Sequence, residues 1–122
     1  VSTFNAAAIG TVGTLTSSSA TVDINFATAN HFNLAMTETT RINNPTGEVA
    51  GQSGSIFITQ PGSGGPYTLS WGTNGATSHY HWVAGTAPTL STAANAVDRI
   101  DYVVAAADKV HCVASLDVKA NS

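Results

Sequence analysis

Alternation of apolar and polar residues with a period of two is the feature that most constrains the fold of this chain. Apolar residues occupy every second position from Val22 to Phe26 and again from Phe32 to Met36. Successive side chains of a strand point to opposite faces, so this pattern places one face on a core and one in water. We expect these two stretches to form an antiparallel hairpin, and Val97–Ala105 with Lys109–Asp117 to form another at the end of the chain.

Clusters of turn-forming residues separate the alternating stretches. Pro61–Pro66 lies between Ser55–Gln60 and Tyr67–Trp71 and predicts a further hairpin. About eight short strands are expected, and no convincing amphipathic helix accompanies them. The sequence therefore predicts an all-β fold, an antiparallel β-sandwich or a jelly-roll-like arrangement, with the strand connectivity left open.

The N-terminal residues 1–19 consist mainly of small residues and hydroxyl-bearing residues, which are poor material for a core. We expect an extended N-terminal arm over 1–19 and a single β-sandwich domain over 20–122. An arm of this kind can add a strand to a neighbouring molecule. Its candidate partner-binding residues are Ser2, Phe4, Asn5, Ile9 and Val12.

The chain is poor in charge. Only 9% of its 122 residues are charged, and four Lys and Arg against seven Asp and Glu give a net charge of -3. A weakly charged surface tolerates flat contact with other protein surfaces, and the absence of a basic cluster excludes nucleic acid as an expected partner. No apolar run is long enough to span a bilayer, so no membrane association is expected. The lone Cys112 is expected to be a small buried residue.

The segment His79, Tyr80, His81 and Trp82 is the most prominent grouping of functional side chains. One interpretation is an exposed contact loop, within Asn74–Trp82, that binds glycan or protein through aromatic rings. In the other, both histidines face outward while Tyr80 and Trp82 pack inward. A metal held by His79 and His81 would need further ligands from His31, His111, Asp98 or Asp101, so no metal and no cofactor is expected.

Catalytic patterns are weak. Gly51–Ser55 lacks the fifth glycine and the strand-to-helix context of a nucleophile elbow, and we interpret it as a turn. Asp98 and Asp101 should point to opposite faces of their strand, so they do not form a glycosidase pair and are expected to be solvated. We expect no enzyme activity.

Several segments resemble a β-domain found in virion proteins of tailed bacteriophages, notably marine phages. The resemblance covers about Ala20–Val118, and it is strongest in four segments: Gly51–Gly54, Ile56–Gln60, Leu69–Gly72 and Gly85–Tyr102. It implies a virion location, with assembly in the host cytoplasm. Combined with the length of the chain, it predicts a capsid decoration (cement) protein that stabilises the head by binding major capsid subunits.

The alternative function is a tail-fibre or head-fibre domain that attaches to a host-surface glycan. Its discriminating feature would be an exposed aromatic segment, whereas decoration relies on the arm. The expected partners are the major capsid protein or another virion protein, and further copies of the chain in a homo-oligomer, for which a trimer is one option.

Overall fold

The computed structural model describes residues 9–121, and over this range regular structure consists of nine β-strands and one turn of 3-10 helix, Val83–Gly85. The strands are β1 (Val12–Leu15), β2 (Thr21–Val22), β3 (His31–Ala35), β4 (Thr40–Ile42), β5 (Ser53–Thr59), β6 (Leu69–Trp71), β7 (Tyr80–Trp82), β8 (Val97–Ala106) and β9 (Lys109–Ser115). The expected all-β class is confirmed.

The strands form two sheets, of which the larger is mixed and the smaller is parallel. The larger has the order β1-β3-β5-β8-β9-β7, and the smaller has the order β2-β4-β6. From β1 to β6 the chain passes alternately from one sheet to the other, so each of the strands β1 to β4 pairs in parallel with the strand two places later. β7 is also parallel to β9, and only β5–β8 and β8–β9 are antiparallel. The expectation of antiparallel sheets is therefore wrong for five of the seven pairs, and this pairing differs from that of a jelly roll.

Two of the three predicted hairpins are wrong for the same reason. β2 and β3 lie in different sheets, and so do β5 and β6 on either side of Pro61–Pro66. Parallel neighbours need a long crossover connection, and here the strand in the opposite sheet is part of that connection. The terminal hairpin is confirmed, with β8 and β9 joined by Ala107 and Asp108.

One apolar core includes side chains from both sheets. In the larger sheet the cross-strand register aligns Phe32 with Ile56 and Ile56 with Ile100, and all three are buried. In the smaller sheet Val22 and Ile42 are aligned and buried. The alternation in the sequence thus correctly predicts which side chains face inward, because the direction of each side chain is a local property of its strand.

Buried polar side chains hold the connections between strands. The side-chain amide of Gln60 donates to the carbonyl oxygens of Tyr67 and Ser91 at 2.8 and 3.1 Å, and its oxygen accepts from the Tyr67 N–H at 3.0 Å. Asp98 accepts from the backbone and hydroxyl of Ser91 and from the Asp117 N–H. Loops that cross a core need such partners, because an unpaired buried backbone group is costly.

Part of the predicted arm belongs to the domain. Val12–Leu15 form β1, which pairs with β3 from Val12–His31 to Leu15–Leu34. Leu15 also packs against the core. Residues 12–15 of the predicted arm are therefore a strand of the larger sheet, and residues 1–8 lie outside the described part of the chain.

Candidate functional site

The predicted arm residues fall into two groups. Ser2, Phe4 and Asn5 lie outside the described residues. Ile9 precedes β1 and is 90% exposed, and Val12 within β1 is half exposed. β1 is the first strand of the larger sheet, so among residues 9–121 it has a strand partner on one side only. Its other side presents backbone donors and acceptors to a further strand.

The β7 segment lies at the opposite end of the same sheet, where it pairs with β9. Alternation turns Tyr80 into the core and His81 to the exterior. The Tyr80 hydroxyl donates to the carbonyl oxygen of Asn43 at 2.9 Å, and burial raises the pKa of this phenol above its usual range. The loop interpretation expected Tyr80 to be an exposed contact residue. It is not, because its ring is part of the core.

His79, in the loop preceding β7, is held by residues of the β4–β5 connection. Its Nδ1 lies 2.9 Å from Oε2 of Glu48, a side chain that is itself only 9% exposed. Its backbone N–H donates to the side-chain oxygen of Asn44 at 2.8 Å. These contacts hold the imidazole of His79 on Glu48, which removes it as a partner for His81 in a metal site.

Trp82 belongs to an aromatic cluster at the junction of the two sheets. The ring of Trp71 lies 5.0 Å from that of Tyr80 and 5.0 Å from that of Trp82, in edge-to-face contact with both. Beside them is a depression of about 410 Å³ that Ser70 and Ser78 also line. The buried Nε1 of Trp71 has no hydrogen-bond acceptor among the described residues.

His81 has a neighbour that the sequence did not reveal. In the parallel pairing of β7 with β9, His81 lies directly opposite His111, and the ring centres are 5.7 Å apart. Both histidines are exposed and line a shallow depression of about 380 Å³ together with Val83 and Val113. Only the pairing of strands distant in sequence creates this contact, so no local signal could have indicated it.

The outward face of the larger sheet carries a further polar group around Ser55. The Ser55 hydroxyl donates to Asp101 at 2.6 Å, Arg99 Nε donates to the same carboxylate at 2.7 Å, and the Ser55 N–H donates to Nδ1 of His31 at 3.1 Å. Desolvation raises the pKa of Asp101, but the hydrogen bonds from Ser55 and Arg99 outweigh it and hold the pKa below its usual value. The Ser55 hydroxyl bonds to the carboxylate instead of the imidazole and is buried, so this group lacks the geometry of a catalytic triad.

The predictions about chemistry are partly corrected. Asp98 and Asp101 do point to opposite faces, but Asp98 is buried and hydrogen-bonded instead of solvated. Cys112 is buried as expected, and burial raises the pKa of its thiol to about 12. Within residues 9–121 no three or more His, Cys, Asp or Glu side chains are grouped to hold a metal ion. No helix in that range has the length and apolarity needed to cross a membrane.

Comparison with protein-family models, curated proteins and solved structures found no match to this chain. The candidate surfaces are therefore assessed on their own chemistry.

Proposed function

We propose that this chain is a structural protein of a tailed-bacteriophage virion that binds the head lattice as a decoration protein. The observation that carries the proposal is the outward face of the larger sheet, where two valines of the β8–β9 hairpin are exposed and the charges of Arg99 and Asp101 are paired. The sequence resemblance to phage virion domains supports a virion location.

The outward face is suited to contact with another protein. Val103 and Val113 on the two hairpin strands are 53% and 58% exposed. On the same face of β8, the charges of Arg99 and Asp101 are paired with each other. A face with exposed aliphatic groups and internally neutralised charge loses little solvation when another flat surface covers it.

The open edge at β1 offers a second mode of contact. Strand addition to an exposed edge makes main-chain hydrogen bonds without requiring a deep pocket. Val12 is exposed on this edge strand, and Ile9 just before it is almost fully exposed. We propose that this edge joins the chain to a capsid subunit or to another copy of the chain in a homo-oligomer.

The test is to locate the chain in intact particles by cryo-electron microscopy. Density of this size repeated over the head lattice is the expected result. Density confined to the tail or to fibre tips, with none on heads, would overturn the decoration proposal and favour attachment to the host.

A rebinding assay tests the surface itself. Heads stripped of this chain are mixed with wild type or with the double variant V103D and V113D, and bound chain is quantified after sedimentation. We expect the double variant to lose binding, because two carboxylates would be buried without partners. The matched control is S70D, an exposed position in the smaller sheet, which should bind as wild type does. Equal binding by both variants would contradict a role for the outward face.

A second candidate function, host-glycan attachment as a fibre domain, is favoured by the Trp71–Tyr80–Trp82 cluster. Aromatic faces beside hydroxyl groups are suited to sugar rings, and Ser70 and Ser78 line this depression together with the tryptophans. This candidate predicts that the recombinant chain binds host polysaccharide and that W82A abolishes binding. V83A is the matched control, since Val83 is exposed and does not line this depression. No binding by a folded wild-type chain would remove this candidate.

A further inference from the structure

We propose that His81 and His111 together form a binding site for a divalent transition metal such as Zn²⁺, Ni²⁺ or Cu²⁺. The chain has four histidines. His31 and His79 each have Nδ1 engaged by a partner within the domain. Among the described residues, neither imidazole of the pair formed by His81 and His111 has a hydrogen-bond partner, so both keep nitrogen lone pairs for an outside ligand.

The spacing of the two rings fits a shared metal. With metal–nitrogen bonds of about 2.0 to 2.1 Å, two imidazoles on one tetrahedral ion have ring centres about 5 Å apart. The observed separation is 5.7 Å, with the ring planes tilted by 37°. Both side chains are exposed, so small rotations about their side-chain torsions bring the nitrogens to one point.

The backbone beneath the pair is held by the core. His81 lies between buried Tyr80 and half-buried Trp82, and His111 lies between the buried residues Val110 and Cys112. The strand register places Tyr80 opposite Val110 and Trp82 opposite Cys112. The two imidazoles therefore start from fixed Cα positions, which reduces the ordering cost of binding.

Two protein ligands leave the remaining coordination positions open. No third His, Cys, Asp or Glu joins the pair within residues 9–121. The depression beside the rings is shallow, so water completes the coordination sphere. We therefore expect one exchangeable ion per chain, bound more weakly than a four-ligand structural zinc and more tightly by Cu²⁺ than by Zn²⁺ or Ni²⁺.

The test is isothermal titration calorimetry of the full chain, without an affinity tag, against ZnCl₂ and NiCl₂ in a non-chelating buffer. Wild type should bind one ion, and H81A and H111A should each lose at least about tenfold in affinity, since even outer-shell changes cost about 10- to 100-fold. H31Q is the matched control and should keep wild-type affinity. MgCl₂ should give no binding, because Mg²⁺ prefers oxygen ligands.

Equal zinc affinity in wild type, H81A and H111A would overturn the proposal, and so would the absence of zinc binding by wild type. A stoichiometry of one ion per two chains, with dimers in sedimentation velocity, would overturn the single-chain site. A second measurement needs no variant: substoichiometric Cu²⁺ should broaden the imidazole NMR signals of His81 and His111 before those of His31 and His79. Uniform broadening of all four histidines would contradict the site.

Discussion

The strands β1–β6 and the hairpin β8–β9 belong to one domain but pair by different rules. The four pairs formed among β1–β6 are all parallel and join strands two places apart in sequence, and the chain crosses between sheets after each strand. In β8–β9 the neighbours are consecutive, antiparallel and joined by two residues. The strands β1–β6, here called the crossing region, depend on buried side chains that hold their connections. The hairpin instead pairs its backbone locally.

The largest expected effect is on the crossing region's contribution to the core. Phe32 on β3 is buried and stacks on Phe26 with ring centres 5.8 Å apart. F32A should lower the free energy of unfolding by about 3 to 5 kcal/mol, as other buried Phe→Ala changes do. Urea denaturation measures this, with N33A, an exposed position on the same strand, as control within about 0.5 kcal/mol. A similar small loss in both variants would show that β3 is not essential to the core.

The next effect tests whether side-chain anchors hold the crossings. Q60L keeps the volume of Gln60 but leaves the Tyr67 and Ser91 backbone groups without their partners. We expect a loss of about 2 to 3 kcal/mol in the free energy of unfolding, measured by urea denaturation. D108A in the exposed turn of the hairpin should change it by less than about 0.5 kcal/mol. Equal losses would remove the contrast between the two regions.

A smaller and stabilising effect is expected at the first crossing. Ser19 and Ala20 both have positive φ, 52° and 62°, and the hydrogen bonds between Ser18 and Thr21 close a tight two-residue turn around them. A20G should raise the free energy of unfolding by about 0.5 to 1 kcal/mol, because only glycine adopts this backbone without a Cβ clash. A107G in the hairpin turn, where φ is not positive, should instead be destabilising. Thermal unfolding followed by circular dichroism distinguishes the two, and a loss in A20G would contradict the expectation.

The smallest expected effect on stability concerns the boundary between the two regions, where Asp101 on β8 accepts a hydrogen bond from the Ser55 hydroxyl on β5. The pKa of Asp101 is lowered in the folded chain, so its contribution is present above the unfolded pKa, about 3.9, and is lost as pH falls through the folded value. The unfolding midpoint of wild type should therefore fall more steeply below about pH 4 than that of D101N. Parallel curves for D101N and wild type would exclude this linkage.

Sequence reasoning was accurate where the determining interaction is local. The inward positions of Phe32, Ile100 and Val110 follow from alternation alone, because the side-chain direction in a strand depends on the neighbouring residues. Most of the predicted strand partners were wrong. Pro61–Pro66 has the composition of a hairpin loop, yet it leads from one sheet to the other, and turn composition does not specify which strand pairs next.

The candidate site follows the same division. That His81 points outward and Tyr80 inward is one of the two interpretations the sequence allowed, and alternation accounts for it. That His79 is held by Glu48 and that His81 faces His111 depends on contacts between residues about 30 positions apart. These contacts follow from strand order, which the sequence pattern left open.

The central position of β5 has a consequence for how the chain reaches its native state. β5 ends at Thr59, but its second partner in the sheet begins only at Val97, and β7 must pair with a strand that follows it in the chain. During synthesis from the N terminus, β5 therefore keeps an open edge until β8 has emerged from the ribosome. Pairings this distant in sequence are slow to form, so we expect completion of the larger sheet to be a late, concerted step of folding.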